Sequence, residues 1–228
     1  MSFREKYFNN RTSKLKKSTA ENIVRKGAFA EREIFTFEKL VRLSSTYPSF
    51  FWENKRILDL GSGDQFIRPS LEKRKVNYDS LEYDDVDFET GKFPFKNNCF
   101  DVVISLAVIE HISNLDNYLN ETLRVLKPGG IFYLSTPNFK YCYKTFYDDP
   151  THVKPFTEKS LEIALELGGF DNISLFPGAR NKLDWFYRGK FKYIKCAFLP
   201  FKTKTWFLPS FLCGRATSLL AVCIKPQK

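Results

Sequence analysis

The stretch Arg56-Ile57-Leu58-Asp59-Leu60-Gly61-Ser62-Gly63 decides the fold. Its apolar run is too short for a helix and stops at two glycines, which reads as a buried strand feeding a tight turn. Outward from it, strand and helix patterns alternate. Val76 to Tyr83 is a second strand, and Phe100-Asp101-Val102-Val103-Ile104-Ser105-Leu106 is a third, nearly continuously apolar as a parallel strand buried on both faces should be. Leu115 to Leu126 has helical amphipathicity and is closed by Lys127-Pro128-Gly129-Gly130; Ile131 to Ser135 is the next strand. Thr157 is an N-cap for a helix from Glu158 to Leu167, ended by Gly168-Gly169. Asn172 to Phe176 and Thr217 to Ile224 are two final strands. Upstream, Glu31 to Ser44 places Ile34, Phe37, Leu40 and Val41 on one helical stripe, while residues 1–30 read as a loose arm or short helices. Such alternation specifies an α/β domain with an open, mainly parallel sheet and helices on both faces.

In this architecture a ligand sits at the carboxyl ends of the strands. Gly61 and Gly63 let the backbone approach it closely. Glu82 ends the second strand, 23 positions after Asp59. That is near the spacing of about 20 residues at which an acid meets ribose hydroxyls. Asp79 and Asp84 are alternatives for this role.

Several motifs follow in order: Asp59-Leu60-Gly61-Ser62-Gly63, Phe93-Pro94-Phe95, Phe100-Asp101-Val102-Val103, Val108-Ile109-Glu110-His111-Ile112, Arg124-Val125-Leu126-Lys127-Pro128-Gly129-Gly130 and Ser135-Thr136-Pro137-Asn138. As a set they resemble the class I S-adenosylmethionine-dependent methyltransferases, in the branch that modifies small molecules, quinones and sugars. The resemblance covers about Ile57 to Phe170. It implies a Rossmann-like, mainly parallel sheet of seven strands with the last antiparallel, and S-adenosyl-L-methionine as cofactor. It also implies that Asp59 fixes the turn near the cofactor's amino group and that Gly61 and Gly63 pass beneath its methionine and ribose. Asp87 or Glu89 would face the adenine amine, and Leu106 would line the pocket. One departure is Gln65, where the family often has a further glycine.

The chain has two histidines. His111 follows Glu110 in the loop after the third strand, where the resemblance implies a role in the cofactor wall; His152 lies in a loop expected to cover the acceptor. Either can serve as a base near neutrality, His152 being the preferred candidate for taking the acceptor's proton and a hydrogen-bonded loop histidine its plain alternative. In-line transfer from an activated sulfonium needs positioning and removal of one proton. Two histidines and five scattered cysteines without a CxxC pair argue against a metal centre or a disulfide framework.

The net charge of +10 is uneven, with nine Lys/Arg against three acids in residues 1–32 and eleven against one in residues 178–228. Residues 1–45 therefore read as a basic arm and helix. Residues 46–228 read as the methyltransferase domain, with an aromatic and basic insertion at about 178–215 that includes Trp185, Arg188, Lys190 and Trp206. Such a segment suits an anionic membrane surface, a sugar or lipid acceptor, or simply a cover for the core. No secretory leader or spanning segment is expected, which points to the cytoplasm, with peripheral contact at the inner face of the membrane. The leading expectation is O-methylation of a sugar in a surface glycan or lipid-linked saccharide, by analogy with the loop Thr151-His152-Val153-Lys154-Pro155-Phe156-Thr157. The alternatives are a quinone or phenol acceptor, or a non-catalytic cofactor-binding scaffold. Nucleic acid is disfavoured, because no RNA-binding module is recognisable.

Overall fold

The computed structural model describes residues 6, 20–43, 52–178, 198–201, 209, 212–213 and 215–227. Its strands are β1 (Arg56–Leu60), β2 (Asn77–Leu81), β3 (Phe100–Leu106), β4 (Leu126–Pro137), β5 (Asp171–Gly178) and β6 (Ser218–Ile224). Its helices are α1 (Ala20–Leu43), α2 (Arg68–Glu72), α3 (Leu115–Val125), α4 (Phe139–Cys142) and α5 (Glu158–Leu167). The sheet order is β2-β1-β3-β4-β6-β5. The first four strands are parallel, and β6 runs antiparallel to both β4 and β5.

Alternation along the strands sends side chains to two cores. Leu58, Leu60, Val103, Phe132 and Leu134 pack on one face with Tyr118 and Leu119 of α3 and Leu161 and Leu165 of α5. Ile57, Val102, Ile104, Tyr133 and Val222 pack on the other with Phe37 and Leu40 of α1 and Leu71 of α2. Thr157 caps α5 as expected, in a reciprocal box with Ser160, a feature worth about 1 kcal/mol. At the amino end of β3, Asp101 accepts from the Arg56 amide and from Lys127 Nζ and so ties three strands together.

The α/β class, the helices on both faces and the antiparallel last strand are as the sequence indicated. The strand count differs: among the described residues there are six, because residues 82–99 run from β2 to β3 through turns alone. That link is too short to build a strand and a crossover helix as well. The loop is instead clamped to the start of α3. Glu89 accepts from the Ser113 and Asn114 amides, and Asn117 donates to the carbonyls of Phe88 and Gly91. Two boundaries also move. The helix expected from Glu31 begins at Ala20, within the stretch read as a loose arm or short helices, and β4 includes Lys127-Pro128-Gly129-Gly130. The aromatic and basic segment falls mostly outside the described residues.

Candidate functional site

The sheet order reverses between β1 and β3, so a crevice is expected at their carboxyl ends. Asp59 is buried there and accepts the Tyr78 hydroxyl at 2.9 Å. Desolvation pushes its carboxyl up to about 7, against the Tyr78 hydrogen bond, which lowers it. Gly61 and Gly63 have φ of 67° and 53°. A Cβ at Gly61 would stand 2.6 Å from Val108 Cγ2, whereas one at Gly63 would meet nothing within 4 Å. The turn is therefore packed on one side and open on the other. Gln65, where a glycine is often found, has φ of 55°; the left-handed conformation is kept without the glycine.

Glu82 closes this cradle. Its Oε1 accepts the Ser62 hydroxyl and, at 2.8 Å, the Gly63 amide. Burial raises its pKa, opposed by these same bonds. Asp79, weighed as an alternative, is instead engaged with Arg56 at 2.8 Å, and Asp84 is exposed in the following turn. Asp87 is exposed and caps its own turn, accepting from the Glu89 amide and the Thr90 hydroxyl. Leu106 ends β3 and is almost buried.

A second cluster lies beyond Val108. Glu110 and His111 sit in a 3-10 turn, Ile109–His111, and both are buried. The segment after α4 is laid across it: the Val153 and Lys154 amides both donate to the Glu110 carbonyl, at 2.9 and 3.0 Å. This brings His152 against His111, ring centroids 4.7 Å apart, and against Phe146 at 4.6 Å. His152 Nδ1 lies 2.6 Å from the Phe146 carbonyl, and His111 Nδ1 lies 3.0 Å from the Thr151 carbonyl. A carbonyl only accepts, so each Nδ1 carries a proton, and in the neutral ring the lone pair lies on Nε2. Glu110 accepts the Thr136 hydroxyl at 3.0 Å, and burial drives its carboxyl up to about 7.

The structure thus gathers Asp59, Gly61, Gly63 and Glu82 in one cradle, and His111 and His152 in another place at the same edge of the sheet. Glu110 was passed over in the sequence except as the neighbour of His111. Two residues of α1 also went unread: the charge of Arg32 acts on Glu110 and that of Glu33 on Asp59. No motif marks them: the helix is read from its apolar stripe, Phe37 and Leu40, which packs in the core.

The methyltransferase-domain family matches residues 58–134. The chain is 34% identical over 106 residues to a Mycolicibacterium smegmatis protein named "Probable S-adenosylmethionine-dependent methyltransferase", covering 42% of this chain and 41% of that one. It is 22% identical over 104 residues to a ubiquinone biosynthesis O-methyltransferase of Pelagibacter ubique, covering 38% and 43%. The chain thus spans less than half the length of these curated relatives. Among solved structures, a chain from the complex between the Haloferax volcanii Trm112 methyltransferase activator and a methyltransferase superposes with a TM-score of 0.61 at 17% identity, over 88% of this chain and 93% of that one. An Archaeoglobus fulgidus SAM-dependent methyltransferase gives 0.54 at 16%, over 86% and 97%. The domain match over residues 58–134, the sheet order and the glycine turn agree with the fold of the class I S-adenosylmethionine-dependent methyltransferases.

Proposed function

We propose that the protein transfers a methyl group from S-adenosylmethionine to a hydroxyl of a small or lipid-linked acceptor, with a sugar preferred and a quinone or phenol as the second reading. The observation that carries it is the pairing of Glu82 with the Gly63 amide, which holds a carboxylate over an open glycine turn. The residues fit the cofactor. Glu82 has Oε2 outside those two bonds and suits a ribose diol. Asp59 is a buried carboxylate whose burial a neighbouring ammonium would offset. Gly63 leaves room above the turn. Asp87, the more exposed of the two loop acids, is the choice for the adenine amine. Leu106 supplies an apolar wall.

Bound there, the cofactor supplies an activated methyl on its sulfonium. The chain's part is to position the acceptor and accept its proton, and the nearness of Glu110, His111 and His152 to one another supports giving that part to this cluster. His152 is its outermost member, only part-buried. In the same stretch of chain Tyr143, Tyr147 and Val153 are exposed, with Lys140, Lys144 and Lys154 among them and Asp148 and Asp149 beside His152 in sequence. An aromatic and basic rim of this kind supports an acceptor bearing phosphate or lipid, and a protein that touches an anionic membrane. Among the described residues no helix is long and apolar enough to cross a membrane. The relative named for ubiquinone biosynthesis favours the quinone reading.

Calorimetry with S-adenosylmethionine and S-adenosylhomocysteine tests the cradle. Transfer of labelled methyl to a panel of glycans, lipid-linked saccharides, quinones and RNA tests the acceptor. No binding of either nucleoside by folded protein overturns the reading. Binding without transfer to any of the panel leaves the scaffold alternative in its place.

A further inference from the structure

Three potential ligand side chains, distant in sequence, meet at the acceptor edge. One ligand atom each from Glu110, His111 and His152 lies within 4.8 Å of the others. In a zinc site with bonds of about 2.1 Å the donors stand roughly 3.4 Å apart, so closure asks for about an ångström of movement. Part-buried His152, on its loop, can supply it.

The surroundings match what metal ligands need. Both histidines point Nδ1 at a main-chain carbonyl, which fixes the tautomer with Nε2 as the donor. Thr136 orients Glu110 in the same way. Asp149 lies close enough for its charge to be felt at Glu110, and the imidazoles in turn act on Asp149. Asp149 thus brings a negative charge beside the cluster, and Arg32 a positive one acting on Glu110. The count of two histidines, which argues against a metal in the sequence, argues nothing once both lie in one cluster.

We propose that Glu110, His111 and His152 bind a zinc-class divalent cation at the acceptor side of the site. Two imidazoles and one carboxylate favour a first-row ion over calcium or magnesium, and three protein ligands leave a position for an exogenous oxygen. An acceptor hydroxyl coordinated there loses its proton to water, and its oxygen keeps the electron pair of the broken O–H bond. The cation then lowers the hydroxyl's pKa in place of an uncoordinated His152 accepting the proton. This consequence rests on the methyl-transfer reading; the cation site does not.

The test is metal uptake by the full chain after stripping with a chelator. Titration with Co2+, followed by visible absorption and checked by equilibrium dialysis with Zn2+, is expected to show one ion per chain. H152A and E110Q are expected to lose more than the roughly 10–100-fold in affinity that changes outside the ligand set cost, while S-adenosylhomocysteine binding persists. No uptake by the parent chain, or uptake unchanged in H152A, overturns the proposal. If E110Q fails to fold, H152A decides alone. Uptake with no nucleoside binding keeps the cation site and removes the methyl-transfer reading, so the two failures are distinguishable.

Discussion

The Gly63 amide donates to the Glu82 carboxylate at 2.8 Å, so the acid ending β2 is fastened to the turn that ends β1. The turn and its recognition group are therefore one unit. On the proposed reading Glu82→Ala removes both the diol acceptor and the clamp on the turn, and the dissociation constant for S-adenosylhomocysteine is expected to rise about 10–100-fold, as loss of a charged hydrogen-bonding group costs about 1.5–3 kcal/mol. Glu82→Gln keeps an oxygen for the Gly63 amide and is expected to fall between. Calorimetry on the three proteins gives the order, and equal affinities would remove Glu82 from the cradle.

Gln65 holds a left-handed backbone without being glycine. Its side chain donates to the Ser80 hydroxyl and accepts from Arg68, which repays part of the strain. Gln65→Gly trades these bonds for backbone ease and should leave stability within about 1 kcal/mol. Gln65→Val, β-branched and unable to make either bond, should cost about 1–3 kcal/mol in a denaturant melt.

The sequence carried the parts of the site that lie on one strand end or one turn. Asp59, Gly61, Gly63 and Glu82 are legible because strand length and glycine placement locate them. Gln65 shows the limit of that method: residue type suggests a broken pattern, yet tertiary packing imposes the same φ. The histidine cluster was not legible as a cluster. His111 and His152 meet only because the Val153 and Lys154 amides dock on the Glu110 carbonyl, and backbone bonds of this kind leave no side-chain signature. The seventh strand is a different case: the residues themselves mark six, and only the family resemblance supplied another.

Asp59 makes the apo protein pH-sensitive. Its folded pKa, about 7, lies above the ordinary carboxylate range, so the folded state keeps a proton that the unfolded chain loses near pH 4. Stability from this group is complete below pH 4, falls as pH rises toward 7, and stays at its lowest above that. Asp59→Asn has no such titration and can still accept the Tyr78 hydroxyl. Relative to the parent, its melting temperature is expected to gain as pH rises from about 4 to 7, while its affinity for S-adenosylmethionine drops. A difference in melting temperature that is flat with pH would show that Asp59 is ionised throughout.

His152 holds its loop through the Phe146 carbonyl and, on the proposed reading, also serves the acceptor, so one substitution cannot separate the two. His152→Ala removes the donor from the Phe146 carbonyl, a loss of about 1–3 kcal/mol if that oxygen stays dry, as well as the Nε2 lone pair. Its turnover is expected to fall about 10²–10⁴-fold, the usual range for a lost acid–base group, with cofactor affinity within about twofold of the parent. His152→Asn places an amide N–H near the former Nδ1 position and should restore the melting temperature, yet it supplies no basic nitrogen. If His152→Asn regains stability and stays slow, the imidazole serves the reaction, as a base or as a ligand of the proposed cation, and metal uptake separates the two. If turnover returns with stability, His152 only holds the loop, and the proton leaves by another route.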